Sequence, residues 1–220
     1  MLKIPVSVDI AVFRVHNKQL QVLLVKRDAT STAYPSQWGL AGGTMDDNDA
    51  DLLQAVHRTL KRRVGNDLAY VEQVGTEGSA TRDPRGWSMT ALYFTLVGLN
   101  ETIELNDNTR WSSIDDPQVR ALAFDHSHLL QMAVQRFRNK TVYSLLPAYL
   151  LPDDFTYTEL HETYQVILGR IIDESKFRTR LKSHPDLILG KKRTGVAYRA
   201  PVMLRVSPTP SKLLFPKPLV

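Results

Sequence analysis

The sequence predicts an α/β (α+β) chain in two parts: a strand-rich domain over residues 1–140 and a small basic domain over 156–220, with a linker at 141–155. Three observations carry this. Apolar and polar residues alternate in short segments of the first part, the period of half-buried strands. Helical spacing takes over after Asp51, again after residue 126 and again after Thr156. Charge is also divided: residues 156–220 carry 12 Lys+Arg against 5 Asp+Glu, whereas residues 1–155 carry 16 against 18. Such a basic domain predicts either a polyanion partner or a solvated basic face.

Composition narrows the class. A hydrophobic content of 43% suits a globular chain with a sizeable core. No run of about 18 apolar residues is present to span a membrane. Cysteine is absent, which excludes disulfides and thiolate metal sites. Met1-Leu2-Lys3-Ile4-Pro5 enters a strand pattern directly, without the regions of a signal peptide, so a cytoplasmic protein is expected.

The elements follow in order. Residues 5–15 alternate Val6, Val8, Ile10 and Val12 with Ser7, Asp9 and Ala11, turn at His16–Gln19 and return over Leu20–Lys26 as a hairpin. Tyr34-Pro35-Ser36 is a loop leading to Trp38-Gly39-Leu40-Ala41-Gly42-Gly43. An acidic loop, Asp46–Asp51, opens a helix marked by Leu52, Leu53, Ala55, Val56, Leu60 and Val64. Residues 68–78 and 89–98 read as strands around the turn-rich loop Thr81–Gly86, Trp111 closes a further strand, and 126–139 is helical. Pro147 and Pro152 mark the boundary before the second domain.

Gly42-Gly43, followed by a helix ending Arg58-Thr59-Leu60-Lys61-Arg62-Arg63-Val64-Gly65, resembles a Nudix box in which glutamates have been replaced. The resemblance covers about residues 5–140 and implies an α/β/α sandwich with a mixed sheet. In that pattern glutamates hold Mg²⁺ against a diphosphate; here their positions hold Thr59, Arg62 and Arg63. A hard cation needs oxygen ligands and is repelled by guanidinium groups. No catalytic residue and no metal ligand are therefore expected. The spacing from Gly43 to Arg58 is one residue longer than in the enzymes, which lets one of Asp46, Asp47, Asp49 or Asp51 take the first acidic position. Glu72 and Glu77 are the other carboxylates considered as compensation. Arg82-Asp83-Pro84-Arg85-Gly86 resembles a loop of ADP-ribose-type Nudix proteins. The resemblance thus carries over Trp38, Gly42, Gly43, Arg58, Arg82 and Arg85 as ligand-site residues. Trp38 either stacks on a base or lines the core. Arg82 and Arg85 either hold phosphates or fix their own loop.

The second part reads as helix, tight turn, helix and basic hairpin, the order of a winged helix-turn-helix. Thr156 and Glu159 fit a capping box, and Leu160, Tyr164, Ile167 and Leu168 stripe the first helix. Gly169–Ile172 is the turn. Asp173 caps a second helix, Glu174–His184, stopped before Pro185. At about 100° per residue Phe177 and Leu181 share one seam, leaving Lys176, Thr179 and Lys182 on the other face with Arg178 and Arg180 beside it. This division suits a helix entering a major groove while arginines reach phosphates. Lys191, Lys192 and Arg193, in a hairpin flanked by 187–189 and 196–198, and Arg199 would contact the backbone. An amphipathic helix with a solvated basic face, or a protein-binding helix-turn-helix, has the same pattern. The stretch after Pro201 is expected to be extended.

Together the two motif sets resemble the Nudix-related transcriptional regulators of NAD metabolism, the NrtR type. The resemblance implies a dimeric bacterial repressor of NAD synthesis or salvage genes, with double-stranded operator DNA as partner. It implies ADP-ribose as the effector that releases DNA, with no cofactor required. A Mg²⁺-dependent ADP-ribose pyrophosphatase with an appended domain, and a nucleotide-regulated scaffold binding protein or RNA, are the rival readings.

Overall fold

The computed structural model describes residues 4–65, 68, 70–182, 184–192, 201–208, 213–215 and 218, with backbone alone at 191 and 192. It divides into two compact units, Met1–Arg14 with Gln21–Val97 and Thr102–Arg136, and Val15–Leu20 with Gly98–Glu101 and Phe137–Val220. Among the described residues no helix is long and apolar enough to cross a membrane.

The first unit is built on a mixed sheet. Its strands are β1 (Val6–His16), β2 (Gln19–Lys26), β3 (Trp38–Gly39), β4 (Ala41–Thr44), β5 (Val71–Ser79), β6 (Ser88–Leu96) and β7 (Thr109–Ser113). The order runs β3-β2-β1-β6-β5, with β4 pairing β1 and β7 pairing β2. The β1–β6 pair is parallel and β4 is antiparallel to β1. The alternation read in β1 splits its side chains between two faces. Val8, Ile10 and Val12 share a core with Ala55, Val56, Leu60 and Val64 of helix α1 (Leu52–Val64). Phe13 points the other way and meets Phe94 with ring centroids 6.3 Å apart. On that second side lies helix α2 (His126–Thr141): Arg136 pairs with Glu72 at 2.7 Å, and Glu72 stands opposite Phe94 in the β5–β6 ladder. One helix on each face makes the α/β/α sandwich.

Helix α1 begins where Asp51 accepts a hydrogen bond from the Gln54 amide and ends where Gly65 adopts the left-handed conformation at φ 79°. The glycine pair, to which the sequence assigns no element, lies in the short strand β4. Two- and four-residue strands carry no alternation long enough to read.

The second unit has the predicted helix pair. Helix α3 (Tyr157–Leu168) opens on the Thr156–Glu159 capping box and closes on Gly169 at φ 65°. Helix α4 (Glu174–Leu181) is capped by Asp173, which accepts from the Lys176 amide. Between them the turn is pinned to α3: the Ile172 carbonyl lies 2.8 Å from His161 Nε2, and the Ile172 amide donates to Gln165 at 3.1 Å. Tyr164 and His161 both pack on Phe177, with ring centroids 5.0 and 5.1 Å away.

Three expectations differ here. Residues 141–155 were expected to link the parts; the structure winds Leu146–Leu150 into a 3-10 turn and buries Leu145, Ala148 and Phe155 in one core with Leu160, Phe177 and Leu181. Helix α4 stops at Leu181, three residues before the expected end, because His184 turns inward and packs edge-on against Phe215 at 4.6 Å. The wing pairs strand β8 (Leu187–Lys192) with β9 (Val202–Val206), and residues 196–198, expected to flank the basic hairpin, lie outside the described residues. The tail is tied down rather than merely extended: Leu145 donates to the Leu213 carbonyl and Phe215 to the Tyr143 carbonyl, both at 2.7 Å.

Candidate functional site

A cavity of about 300 Å³ opens beside the two glycines, at the lower end of the size that holds a small ligand. It is lined from β1 by Ser7 and Asp9, from β2 and the following loop by Lys26, Arg27 and Asp28, and from β4 by Gly42 and Gly43. Arg62 and Arg63 enter from α1, Arg82, Asp83 and Arg85 from the 81–86 loop, and Phe124 and His126 from the start of α2.

The floor of this cavity is a relay of polar contacts. Arg82 grips both oxygens of Asp125 at 3.0 Å and comes within 3.5 Å of Asp9. Asp9, only 4% exposed, also faces His126 Nε2 at 3.4 Å. The Leu40 amide donates to His126 Nδ1 at 2.9 Å. An accepting Nδ1 leaves the ring proton on Nε2, where it points at Asp9. Gly42 is required by this arrangement, because a Cβ there would stand 2.4 Å from Asp9 Oδ1. Gly43 is crowded in the same way by Thr59 Oγ1 at 2.5 Å and by Arg62 Nη2 at 3.2 Å.

Of the sequence-predicted ligand residues, Gly42, Gly43, Arg82 and Arg85 line the cavity; Trp38 and Arg58 do not. Arg58 is held elsewhere, donating to both oxygens of Asp49 at 2.8 and 2.5 Å and to the Thr44 carbonyl at 3.0 Å. The acidic loop therefore supplies the partner of Arg58, and the Arg58 hydrogen bond holds the Asp49 carboxyl below its ordinary value. Trp38 is stacked by Arg110 at 4.2 Å, and its carbonyl accepts from the Ala123 amide at 2.8 Å. That contact anchors the segment carrying Phe124 and His126. Arg82 is spent on the floor. Arg85 donates to both oxygens of Asp83 at 2.9 and 2.6 Å, and this bond lowers the Asp83 carboxyl and raises the Arg85 guanidinium. More than half of the Arg85 side chain remains exposed.

Neither Glu72 nor Glu77 lines the cavity. Its carboxylates are Asp9, Asp28 and Asp83, and each already has donors: Asp28 accepts from the amide and hydroxyl of Thr30 at 2.8 and 2.6 Å. Six cationic side chains line the same space. This donor set does not fit Mg²⁺, which needs free oxygen ligands. It fits an anion.

Sequence reasoning missed Asp9, Arg27, Arg62, Arg63, Phe124 and His126 as lining residues. The arginines at 62 and 63 had a signal, since positions three and four beyond Thr59 share its face of the helix. Arg27 lies 4.6 Å over the Phe124 ring and donates to the Ala33 carbonyl at 2.9 Å. Burial, then the charge of Arg85, lowers the Arg27 guanidinium. Nothing in the sequence announces that stack, which depends on a residue 97 positions away.

In the second unit the helical-wheel reading of α4 holds. Phe177 and Leu181 are its buried residues, and Lys176, Arg178, Thr179, Arg180 and Lys182 are exposed. Thr179 donates to the Ser175 carbonyl at 2.9 Å, and Arg178 lies 5.2 Å over the Tyr157 ring. Lys191 and Lys192 sit in β8, whereas Arg193 and Arg199 lie outside the described residues.

Comparisons with known proteins agree with both halves. Residues 4–133 match the family model of the NUDIX domain, and residues 147–205 match that of the NrtR DNA-binding winged helix domain. The second match begins inside the stretch expected to be a linker. The "ADPR responsive transcriptional repressor NtrR" of Acinetobacter baylyi is 42% identical over 181 residues, covering 80% of this chain and 71% of that protein. The crystal structure of Shewanella oneidensis NrtR complexed with a 27mer DNA is 32% identical, with TM-score 0.83 over 98% of this chain and 99% of that one. The NUDIX domain of the same Shewanella protein, complexed with ADP ribose, is 33% identical, with TM-score 0.57 over 62% of this chain and 90% of that one. With a NUDIX domain followed by an NrtR winged helix, the chain belongs to the NrtR family of Nudix-related regulators.

Proposed function

We propose that this chain is a transcriptional repressor of NAD synthesis or salvage genes that binds operator DNA through its second unit and releases it when ADP-ribose fills the cavity of the first. The observation that carries the reading is the pairing, in one chain, of an arginine-lined cavity at Gly42–Gly43 with helix α4, which buries Phe177 and Leu181 and exposes Lys176, Arg178, Thr179, Arg180 and Lys182.

The cavity glycines admit the diphosphate close to the backbone, Arg85 lies within the lining to meet a phosphate, and Arg82 acts as a positioning residue through Asp9. Helix α4 enters the major groove with Thr179 and Lys182 towards base edges, while Lys176, Arg178 and Arg180 reach phosphates. Lys191, Lys192, Arg193 and Arg199 belong to the wing and its flank, beside the DNA backbone. The protein acts in the cytoplasm as a homodimer, whose two-fold axis matches a palindromic operator. It senses rather than hydrolyses, because Thr59, Arg62 and Arg63 stand where a hydrolase needs carboxylates.

The test is fluorescence anisotropy of labelled duplexes from upstream of the chain's own operon and of NAD genes, at fixed salt with scrambled duplex as competitor. Binding that survives the competitor and is reversed by ADP-ribose is expected. Binding no tighter than to scrambled duplex, or Mg²⁺-dependent release of AMP from ADP-ribose, would contradict the reading.

A further inference from the structure

We infer that Arg62 and Arg63 take the place of the divalent cation in this cavity, so that a nucleoside diphosphate is bound through fixed guanidinium charges without any metal. The inference rests on the ligand-sensing reading above and assigns its phosphate contacts to two residues outside the ligand set that the resemblance carries over.

The arginines of this unit are used in two ways. Arg58, Arg82 and Arg85 each have a carboxylate partner. Arg62 and Arg63 have neither an ion pair nor a hydrogen bond among the described residues, yet both are exposed and line the cavity. Nor is Arg62 simply extended into solvent. Long side chains on a helix lean back towards its N-terminus, and Arg62 Nη2 comes within 3.2 Å of where a Cβ on Gly43 would be. Its guanidinium therefore lies against the glycine strand, where a phosphate would approach. Arg63 is its sequence neighbour, and burial followed by repulsion from Arg62 lowers its guanidinium. Lys26, at the end of β2, and Arg27, just after it, line the same cavity.

Six cationic groups face three carboxylates in this space, and all three carboxylates are already hydrogen-bonded or ion-paired. An entering cation would meet net repulsion, whereas a diphosphate would relieve the crowding of Arg62 and Arg63. Arginine suits the task because its planar fork pairs with phosphate oxygens in bidentate fashion. A plainer account exists: cations are favoured in the last turn of any helix, and Lys61 shares that turn. It predicts an effect of these arginines on helix stability and none on ligand affinity.

The experiment is titration calorimetry of the full chain with ADP-ribose, in EDTA and again in excess Mg²⁺. Wild-type affinity is expected to agree between the two within about twofold, and inorganic pyrophosphate should compete in EDTA. Arg62→Gln with Arg63→Gln should weaken ADP-ribose binding about 10- to 100-fold, two charge-assisted contacts discounted for their exposure. Its melting temperature, measured without ligand, should stay near that of wild type. Wild-type binding that requires Mg²⁺ overturns the inference and leaves the sensor reading standing, as does unchanged affinity in the folded double variant. Absence of ADP-ribose binding in both buffers overturns the sensor reading and the inference with it.

Discussion

Gly43→Ala is expected to destabilise the first unit by about 1–3 kcal/mol, the usual cost of forcing a methyl group into filled space. The added Cβ would lie 2.5 Å from Thr59 Oγ1 and 3.5 Å from Thr59 Cγ2. Thr59 cannot simply step aside: it is fully buried, and a β-branched side chain on a helix has few rotamers. The same methyl group would press on Arg62 Nη2 at 3.2 Å, so ADP-ribose affinity should fall as well. A second substitution makes the argument sharp. The Thr59 hydroxyl is buried with no hydrogen-bond partner among the described residues, so Thr59→Ala alone should cost little. Combined with Gly43→Ala it should restore most of the lost stability, a favourable coupling between two sites in contact. Urea denaturation of the four chains measures this. Equal losses for Gly43→Ala with and without Thr59→Ala would mean that the crowding lies elsewhere.

Replacing Arg178 and Lys182 together with alanine is expected to weaken operator binding by an order of magnitude or more and to leave the fold intact. Both side chains are exposed, while the packing of α4 rests on Phe177 and Leu181. With Arg178 on a phosphate and Lys182 towards a base edge, the slope of log K against log salt should become shallower by about 1 and discrimination against scrambled duplex should shrink. Unchanged binding at matched salt would remove α4 from the DNA interface.

Both proposals rest on features that differ in how openly the sequence shows them. The strands β1 and β6 are long, rich in strand-forming residues and buried over most of their length on both faces, so each reads as a strand from its own segment. The α3 capping box is a local pattern, and it forms as written. The buried seam of α4 is also local, since 3.6-residue spacing alone pairs Phe177 with Leu181. What fails is what depends on distant partners. Arg58 belongs to the box pattern, yet it is held by Asp49 and the Thr44 carbonyl outside the cavity. Trp38 in the same run as the glycines packs beneath Arg110, from β7. Arg62 and Arg63 were legible as losses of metal ligands, but their place in one cavity with Lys26 and the approach of Arg62 to Gly43 depend on strands far away in sequence. Leu145 and Phe155 were hidden by the prolines around them, because Pro147 and Pro152 signal a break in the helix without saying whether the broken chain is buried. Strand β9 was not legible as a strand either: Val202–Val206 follows Pro201 in a Pro-rich stretch expected only to be extended, and its pairing with Leu187–Lys192 is not a local pattern.

The proposed function couples ADP-ribose to operator DNA within one chain. Coupling between two ligands is reciprocal, so the factor by which ADP-ribose weakens DNA binding must equal the factor by which DNA weakens ADP-ribose binding. The most direct measurement is ADP-ribose affinity by calorimetry with the full chain free and then saturated with operator duplex, at one salt concentration. This coupling predicts weaker ADP-ribose binding in the presence of operator, by the same factor found in the anisotropy titration and on the order of 5- to 150-fold. The same ADP-ribose affinity with and without operator would contradict it.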